Sequence, residues 1–255
     1  NESYRLARQV AGPFASFESA ERIALKCRQV GIDAVVAHPN AWEVWLPVEA
    51  KPPKDVEVAL WSRTVSSAIK PFLQGINTGQ TLVGPIQIDA SEGLKWKGGV
   101  FKGPFRLQKD AYGSWTLVEE VPIDRYLQGV VPHEIGAGAS SVALSVQTVL
   151  ARTWALANKH RFFIDGYHLC SDTQCQVYSD PRQANSLVRD AIAKTKGKVL
   201  SWEGKPINAF YHASNGGVMA SNAEAWTMES LPYFQVQLDG SDQWKKSFSL
   251  PLQKT

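Results

Sequence analysis

The longest helical pattern of the chain covers residues 140–160, where apolar residues recur every three or four positions. Short strand patterns lie before and after it. The segment ahead of the helix divides into four such stretches, each bounded by turn residues: 82–89, 93–98, 104–110 and 114–120. One long helix among short strands that do not alternate regularly with helices predicts an α+β fold. Further elements predicted from the sequence are helices at 65–73 and 181–194, a segment with helical spacing that opens at 121–127, and strands at 56–61, 198–202 and 206–212.

The first 50 residues form a pattern of their own. Residues 4–10 alternate like a strand, and 17–30 carry an apolar helical stripe between a capping Ser16 and a terminating Gly31. Two short strands, 33–37 and 42–47, follow around a His-Pro-Asn-Ala turn. The order strand, helix, strand, strand predicts a small α+β module at 1–50, then connecting strands at 51–91 and a second domain at 92–255.

Composition limits the classes of partner. The net charge is +3 and the basic residues form no dense cluster, so we expect no nucleic-acid partner. A run of about 18 apolar residues is missing, so we expect no membrane span. Nine Trp and seven Tyr offer flat apolar faces that could pack on sugar rings, although most should be core residues. The sequence starts at Asn1 without a signal pattern, which is compatible with an export segment lying outside it.

Glu134 is the acidic residue that invites a chemical interpretation. It precedes a Gly/Ala/Ser loop and the long helical pattern, where a carboxyl group could be partly desolvated and its pKa raised toward neutrality. Such a group can both give and take a proton, as cleavage of a glycosidic bond requires. The alternative is an ordinary solvated acid near a helix start, where the helix dipole favours negative charge.

Four ordered motifs supply a context for Glu134. They are Tyr126-Leu-x-Gly-Val-Val-Pro followed by Glu134, Gln147 with Ala151-Arg152-Thr153, Asp172-Thr-x-x-Gln176-Val-Tyr178, and Tyr211-His-Ala-Ser214-x-Gly-Gly. Together they resemble the SpoIID family, which includes stage II sporulation protein D and the LytB-like amidase enhancers. The resemblance covers roughly residues 92–230 and implies a SpoIID-type catalytic domain with mixed short strands and one long central helix. Residues 12–36 resemble part of a SPOR domain, a module that binds peptidoglycan glycan; an unrelated α+β mini-domain is the alternative.

The SpoIID resemblance implies a lytic transglycosylase. Such an enzyme cleaves the MurNAc–GlcNAc β-1,4 bond of glycan strands that lack stem peptides and leaves 1,6-anhydro-MurNAc ends. One carboxyl group suffices because the C6 hydroxyl of the sugar replaces the second acid of a glycosidase. The rival is a non-catalytic amidase enhancer or glycan-binding protein of the cell wall. Either role implies an exported protein of the periplasm or cell wall, with peptidoglycan glycan strands, and for the enhancer a cell-wall amidase, as partners.

The same resemblance assigns roles to single residues. Glu134 would be the catalytic acid and base, with Asp172 a candidate second acid. Arg152 lies in an apolar helical setting, where a charge needs a partner, so it would position the substrate or form a structural salt bridge. The remaining predicted substrate-binding residues are Gln176, Tyr178, Tyr211 and Ser214.

Three cysteines complete the list of candidate residues. Cys27 falls in a helical stripe and is expected to be buried. Cys170 and Cys175 could form a disulfide, as suits an exported protein, or remain as unpaired buried thiols. The resemblance adds a structural zinc site as a third option, in which family members use a His where this chain has Gln174. In that case His168 would join the two cysteines, and His160 or His212 would complete four ligands. The proposed chemistry itself requires no cofactor.

Overall fold

A computed structural model describes residues 3–66, 84–90, 92–226 and 230–240 of the chain. Within these ranges it contains five helices and several small antiparallel sheets, so the predicted α+β class is confirmed. None of the helices in the described ranges has the length and apolar character needed to cross a lipid bilayer. The predicted helix at 65–73 lies largely outside these ranges, and the two residues of it that are described end a strand instead.

The N-terminal unit, residues 3–66, is one four-stranded sheet with a helix on one face. The predicted order strand, helix, strand, strand is present, and Ser16 caps the helix by accepting the Ser19 N–H at 3.1 Å. A fourth strand pairs with the first along eight residues, so this sheet continues past the boundary predicted at residue 50. The sheet order is β2-β3-β1-β4. The elements are β1 (Ser3–Phe14), α1 (Phe17–Gln29), β2 (Val35–Ala37), β3 (Trp42–Leu46) and β4 (Ala59–Ser66).

Both faces of this sheet are covered. On one face α1 buries Ala20, Ala24 and the free Cys27 against the strands, as the apolar stripe predicts. On the other face, the guanidinium of Arg8 lies 3.6 Å from the ring centroid of Trp45 and donates to the carbonyl of Ala111 at 2.9 Å. Ala111 belongs to a turn of the second domain, so the N-terminal unit is packed against the rest of the chain rather than tethered to it.

Short strands connect the N-terminal unit to the helices. The four strand patterns predicted between 82 and 120 each contain a strand, and the second pattern is one arm of a hairpin whose other arm is Gly99–Phe101. Three of the strands form an antiparallel sheet in the order β5-β8-β9. The elements are β5 (Ile86–Ile88), β6 (Leu94–Trp96), β7 (Gly99–Phe101), β8 (Phe105–Lys109) and β9 (Trp115–Glu119).

Three helices form the core of the second domain: α2 (Ile123–Ile135), α3 (Ser141–Ala157) and α4 (Ser186–Lys194). Helix α3 is the predicted long helix; it begins at Ser141, and Ser140 caps its start. Helix α2 continues the helical segment that the sequence predicts to open at 121–127. It accommodates Pro132 because this residue falls in its last turn, where a missing N–H removes only one helical hydrogen bond. Its end is marked by Gly136, whose backbone lies at a φ of 83°.

The C-terminal part has less regular structure than predicted. The strand expected at 206–212 is only β11 (Lys205–Pro206), paired with β10 (Ser201–Trp202). Beyond Pro206 the backbone makes tight local turns, with Ala209 N–H bonded to the Ile207 carbonyl at 3.0 Å, so it cannot continue a ladder. The last described elements are β12 (Val218–Met219), α5 (Asn222–Trp226) and β13 (Gln237–Leu238).

Gly129 sets how closely α2 approaches the 170–180 segment. A Cβ atom at this position would lie 2.5 Å from the Ser179 carbonyl oxygen and 2.5 Å from the Tyr178 ring. The absence of a side chain also lets the Ser179 N–H reach the Gly129 carbonyl at 3.1 Å. Glycine is therefore required here by space rather than by backbone conformation.

We predict that Gly129→Ala lowers the free energy of unfolding by about 1–3 kcal/mol, because the added methyl group must displace backbone. Urea titration followed by circular dichroism measures the effect. Gly138→Ala is the matched control, because a Cβ there meets no atom within 4 Å. Equal stability of the two variants would contradict the proposed close approach.

Candidate functional site

Glu134 lies in the last turn of α2, and it precedes the loop and the long helix α3 as the sequence predicts. The dipole at this end of a helix disfavours a negative charge, so the interpretation as a dipole-stabilised acid is wrong. The side chain is half-buried and faces a cavity of about 370 Å³. Residues of the N-terminal unit and of the second domain line this cavity together: Ala15, Ser16, Phe17, Glu18, Trp42, Glu134, Trp154, Arg161, Thr173, Gln174, Cys175, Gln176, Val177, Phe210 and Tyr211.

The carboxyl group of Glu134 is partly desolvated and accepts two hydrogen bonds. Burial raises its pKa above the ordinary value of a glutamate. Hydrogen bonds from the Tyr211 hydroxyl and the Val177 N–H, together with the adjacent His133, oppose that rise without cancelling it. The result is an acid that holds its proton at a higher pH than a solvated glutamate and is still oriented by two donors.

Gln176 fixes the geometry around Glu134. Its side chain is 2% exposed, and its Oε1 accepts from the Tyr126 hydroxyl at 3.0 Å. Its Nε2 donates to the Tyr211 hydroxyl oxygen at 3.0 Å and to the Ala151 carbonyl at 3.3 Å. Because the Tyr211 oxygen accepts from Gln176, its own hydrogen is directed to Glu134. Burial raises the pKa of Tyr211 further above its ordinary value, so this hydroxyl stays protonated and remains a donor.

The structure thus brings together Glu134, Gln176 and Tyr211 of the predicted site residues. Tyr178 lies behind them: its ring stacks on Tyr126 with centroids 5.3 Å apart, and its hydroxyl donates to Glu119 at 2.8 Å. Tyr178 is not among the residues lining the cavity, so its contacts are those of a supporting residue.

Arg152 lies apart from the cavity. Its side chain is 2% exposed and turns toward the end of α4, where Nη1 donates to the carbonyls of Thr195 at 2.9 Å and Lys198 at 3.2 Å. Asp124 stands 3.6 Å from its Nη2. The prediction that Arg152 contacts a substrate in the cavity does not match this placement, because this side of α3 faces α4. Arg152 instead forms a structural salt bridge with Asp124, which is the alternative given by the sequence.

Ser214 also lies outside the cavity. It is exposed in the loop before β12, where its Oγ accepts the Gly216 N–H at 3.3 Å. The neighbouring Asn215 donates to Asp239 at 2.8 Å. This loop therefore pairs with the segment around β13, and only Tyr211 of the fourth motif reaches Glu134.

Cys170 and Cys175 are joined in a disulfide with a Cα–Cα distance of 5.8 Å. Sulfur atoms bonded to each other are not available as thiolate ligands, and His168 is exposed. In the part of the chain that the structure describes, no three His, Cys, Asp or Glu side chains are arranged to hold a metal ion. The described residues therefore do not fit the zinc site. Asp172 accepts the Gln174 N–H at 2.9 Å within this loop rather than acting as a second acid beside Glu134.

Sequence patterns missed the residues that close the cavity from the opposite side. Glu18 and Arg161 form an ion pair there, with side chains 8% and 5% exposed. The Arg161 guanidinium lies between the rings of Phe17 and Trp154, at 4.6 and 5.0 Å from their centroids. In the sequence Glu18 looks like a solvated first-turn acid, and its partner is 143 residues away. The only available signal was the setting of Arg161 beside two phenylalanines.

We predict that Tyr211→Phe raises the pKa of Glu134, because the lost hydroxyl donates to its ionised form. The free energy of unfolding should fall by about 1 kcal/mol, since Gln176 also loses an acceptor. A ¹³C NMR titration of the glutamate carboxyl groups measures the pKa. Tyr178→Phe is the control, because its hydroxyl donates to Glu119. An unchanged Glu134 titration in Tyr211→Phe would contradict the assigned hydrogen bond.

We predict that Glu134→Gln stabilises the fold at neutral pH. Since the folded-state pKa of Glu134 is raised, the wild-type protein is favoured while this group is protonated and loses stability as pH rises through that pKa. The variant lacks this loss. Its melting temperature should exceed that of the wild type by about 1–3 °C at pH 7, and the gap should close near pH 4. The exposed Glu120→Gln is the control; a gap that does not vary with pH would refute the assignment.

Comparison with known proteins relates this site to a family. Residues 111–202 match the family model described as SpoIID, Stage II sporulation protein. The chain is 38% identical over 116 residues to the amidase enhancer of Bacillus subtilis, which covers 46% of this chain and 15% of that protein. It is 36% identical over 135 residues to stage II sporulation protein D of Bacillus amyloliquefaciens, covering 46% of this chain and 38% of that protein. The chain thus spans less than half the length of these relatives.

The matched family segment contains Glu134, Gln176 and the disulfide, and it ends before Tyr211. It begins at residue 111 and does not include the N-terminal unit. The resemblance of that unit to a SPOR domain stays a prediction.

Proposed function

We propose that this chain, whose residues 111–202 match the SpoIID family model, is a lytic transglycosylase of the bacterial cell wall. Its substrate is the glycan strand of peptidoglycan, without stem peptides, and the bond it cleaves is the β-1,4 bond between MurNAc and GlcNAc. The protein would act in the periplasm or cell wall, where this polymer lies.

The observation that carries the proposal is the partly buried position of the Glu134 carboxyl group on the cavity. A half-buried carboxyl with a raised pKa, oriented by Tyr211 and the Val177 N–H, lies on a cavity that also exposes aromatic and charged groups. General acids work best when their pKa lies close to the working pH, and desolvation is a common way to bring a glutamate there.

The reaction needs one proton carrier. Protonated Glu134 gives its proton to the glycosidic oxygen as the bond to C1 of MurNAc breaks, and GlcNAc leaves with a new hydroxyl group. The C6 hydroxyl of the same MurNAc then attacks C1 and passes its proton to Glu134. The carboxyl returns to its starting form, and the product is a 1,6-anhydro ring. No water is consumed and no metal is required.

The other carboxylate of the cavity is held in a different state. Glu18 lines the same space, but its charge is compensated by Arg161 in a nearly fully buried ion pair. A carboxylate engaged in this way is a poor nucleophile or base. The arrangement therefore supports a reaction that relies on Glu134 alone, with the C6 hydroxyl in place of a second acid.

The second candidate function is stimulation of a cell-wall amidase without turnover. The similarity to the amidase enhancer of Bacillus subtilis favours it. In that role the cavity would bind glycan and present it to the partner enzyme, and Glu134 would act as a hydrogen-bond donor to sugar oxygens.

Mass spectrometry of digests separates these functions. Purified glycan, with and without stem peptides, is incubated with the protein in H₂¹⁸O. A transglycosylase gives anhydro-ended fragments without ¹⁸O, whereas a hydrolase gives reducing ends that carry the label. Faster release of stem peptides by an added amidase, with no anhydro product from either glycan, would support the enhancer role. Absence of anhydro product from stripped glycan would overturn the proposal.

We predict that Glu134→Gln reduces the rate of anhydro-product formation at least about 100-fold, because the amide cannot transfer the proton. Glu120→Gln, an exposed substitution of the same kind, should keep the wild-type rate. Wild-type turnover by Glu134→Gln would exclude Glu134 as the acid.

A further inference from the structure

The cavity that contains Glu134 has two walls from different parts of the chain. One wall is formed by Glu134, Gln176 and Tyr211 of the second domain. The other is formed by the first turn of α1, with Phe17 and Glu18, and by Trp42 of β3. This second wall lies outside residues 111–202, so it is a feature of this chain rather than of the matched domain.

Trp42 forms a direct polar contact across the cavity. Its Nε1 donates to the side-chain Oε1 of Gln174 at 2.8 Å. The indole is 2% exposed and is packed against Phe17 and Phe162, with ring centroids 5.3 and 5.5 Å away. The indole is therefore held in one orientation, and its N–H is a fixed donor toward the second domain.

Gln174 belongs to the segment that orients the candidate acid. Two residues later Gln176 begins the hydrogen-bond chain through Tyr211 to Glu134, and the Val177 N–H donates to Glu134 directly. The disulfide holds this segment at Cys175. Trp42 holds it one residue earlier, from the side of the N-terminal unit.

We propose that Trp42 is a positioning residue for Glu134, acting through Gln174 and the 174–177 segment. The N-terminal unit would then form one side of the cleft and help to set the geometry of the acid. For catalysis this rests on the function proposed above. The alternative, an independent glycan-binding module on a linker, is disfavoured because both faces of its sheet are already covered, by α1 and by the turn at Ala111.

The glycan strand would accordingly pass between the two walls. The exposed rim of the cleft is made by Ala15 on one side and Thr173 and Gln174 on the other. The buried Glu18–Arg161 pair closes the cleft beneath this rim and spans the two walls as a second bridge. Substrate contacts would then come from both units.

The test uses Trp42→Phe, Gln174→Leu and the double variant in the full chain. Trp42→Phe keeps an aromatic ring and removes the N–H, while Gln174→Leu removes the acceptor from an exposed residue, where the fold tolerates substitution. We expect each single variant to raise the pKa of Glu134 in a ¹³C NMR titration, because the Val177 N–H is held less firmly. We expect kcat for anhydro-product release to fall about 10-fold, with KM changed much less.

The double variant should be no worse than either single variant, since both remove one shared interaction. Trp45→Phe is the matched control: it lies on the same strand, and its indole N–H donates to Glu43 at 2.7 Å on the opposite face of the sheet. It should leave the Glu134 titration unchanged. His133, Tyr211, Glu18 and Arg161, the titratable and charged groups around the cavity, are the same in every variant.

Two results would overturn the proposal. One is a Glu134 titration in Trp42→Phe and Gln174→Leu that matches the wild type. The other is an equal shift in Trp45→Phe, which would show a general effect of loosening the N-terminal unit. The titration requires no turnover. If the wild-type protein releases no anhydro product but the two variants show the expected shifts in the Glu134 pKa, the proposed function is refuted and the positioning role of Trp42 stands.

Discussion

The buried side-chain amide of Gln176 holds three parts of the second domain in one arrangement. Its oxygen accepts from Tyr126 of α2, and its nitrogen donates to the Ala151 carbonyl of α3 and to Tyr211 of the segment after β11. A primary amide has one acceptor and two donor hydrogens in fixed directions, so each of these contacts also fixes where a proton points. Because the amide is shielded from water, losing any of these hydrogen bonds would leave a buried polar group unpaired, which disfavours other arrangements of these side chains. The orientation of Tyr211 toward Glu134 follows from it.

The segment that carries Gln176 is itself held from three directions. Gly129 lets α2 approach it closely, the disulfide closes its loop, and Trp42 anchors Gln174 from the N-terminal unit. None of these contacts involves a chemically active group. They restrict the position of the Val177 N–H and the Gln176 amide, and so they set the environment of a carboxyl group they do not touch.

Whether a feature of this structure can be predicted from the sequence depends on how far apart along the chain the interacting residues lie. Helices α1 and α3 follow from local patterns. The sequence predicts α1 from its observed start at Phe17, and α3 from Ser140, which is the cap that precedes its first residue. Of the residues that the motifs single out, Glu134, Gln176 and Tyr211 line one cavity, and their roles in a reaction stay predictions. The sequence could not predict which neighbour the Arg152 side chain contacts, since a buried helix has neighbours on several sides. The Glu18–Arg161 pair and the Trp42–Gln174 bond join residues more than 100 positions apart, and no local pattern reports such a contact.

Two carboxyl groups in one cavity illustrate how environment divides chemical roles. Glu134 has no cation held against it by an ion pair in the described part of the chain, and burial raises its pKa. Glu18 is more deeply buried, yet Arg161 compensates its charge, and two aromatic rings hold that guanidinium in place. Burial without a compensating cation favours the protonated form of a carboxyl group, as it does at Glu134. The position of one arginine therefore decides which of the two is free to exchange a proton with a bound sugar, and the proposed single-acid reaction depends on that asymmetry.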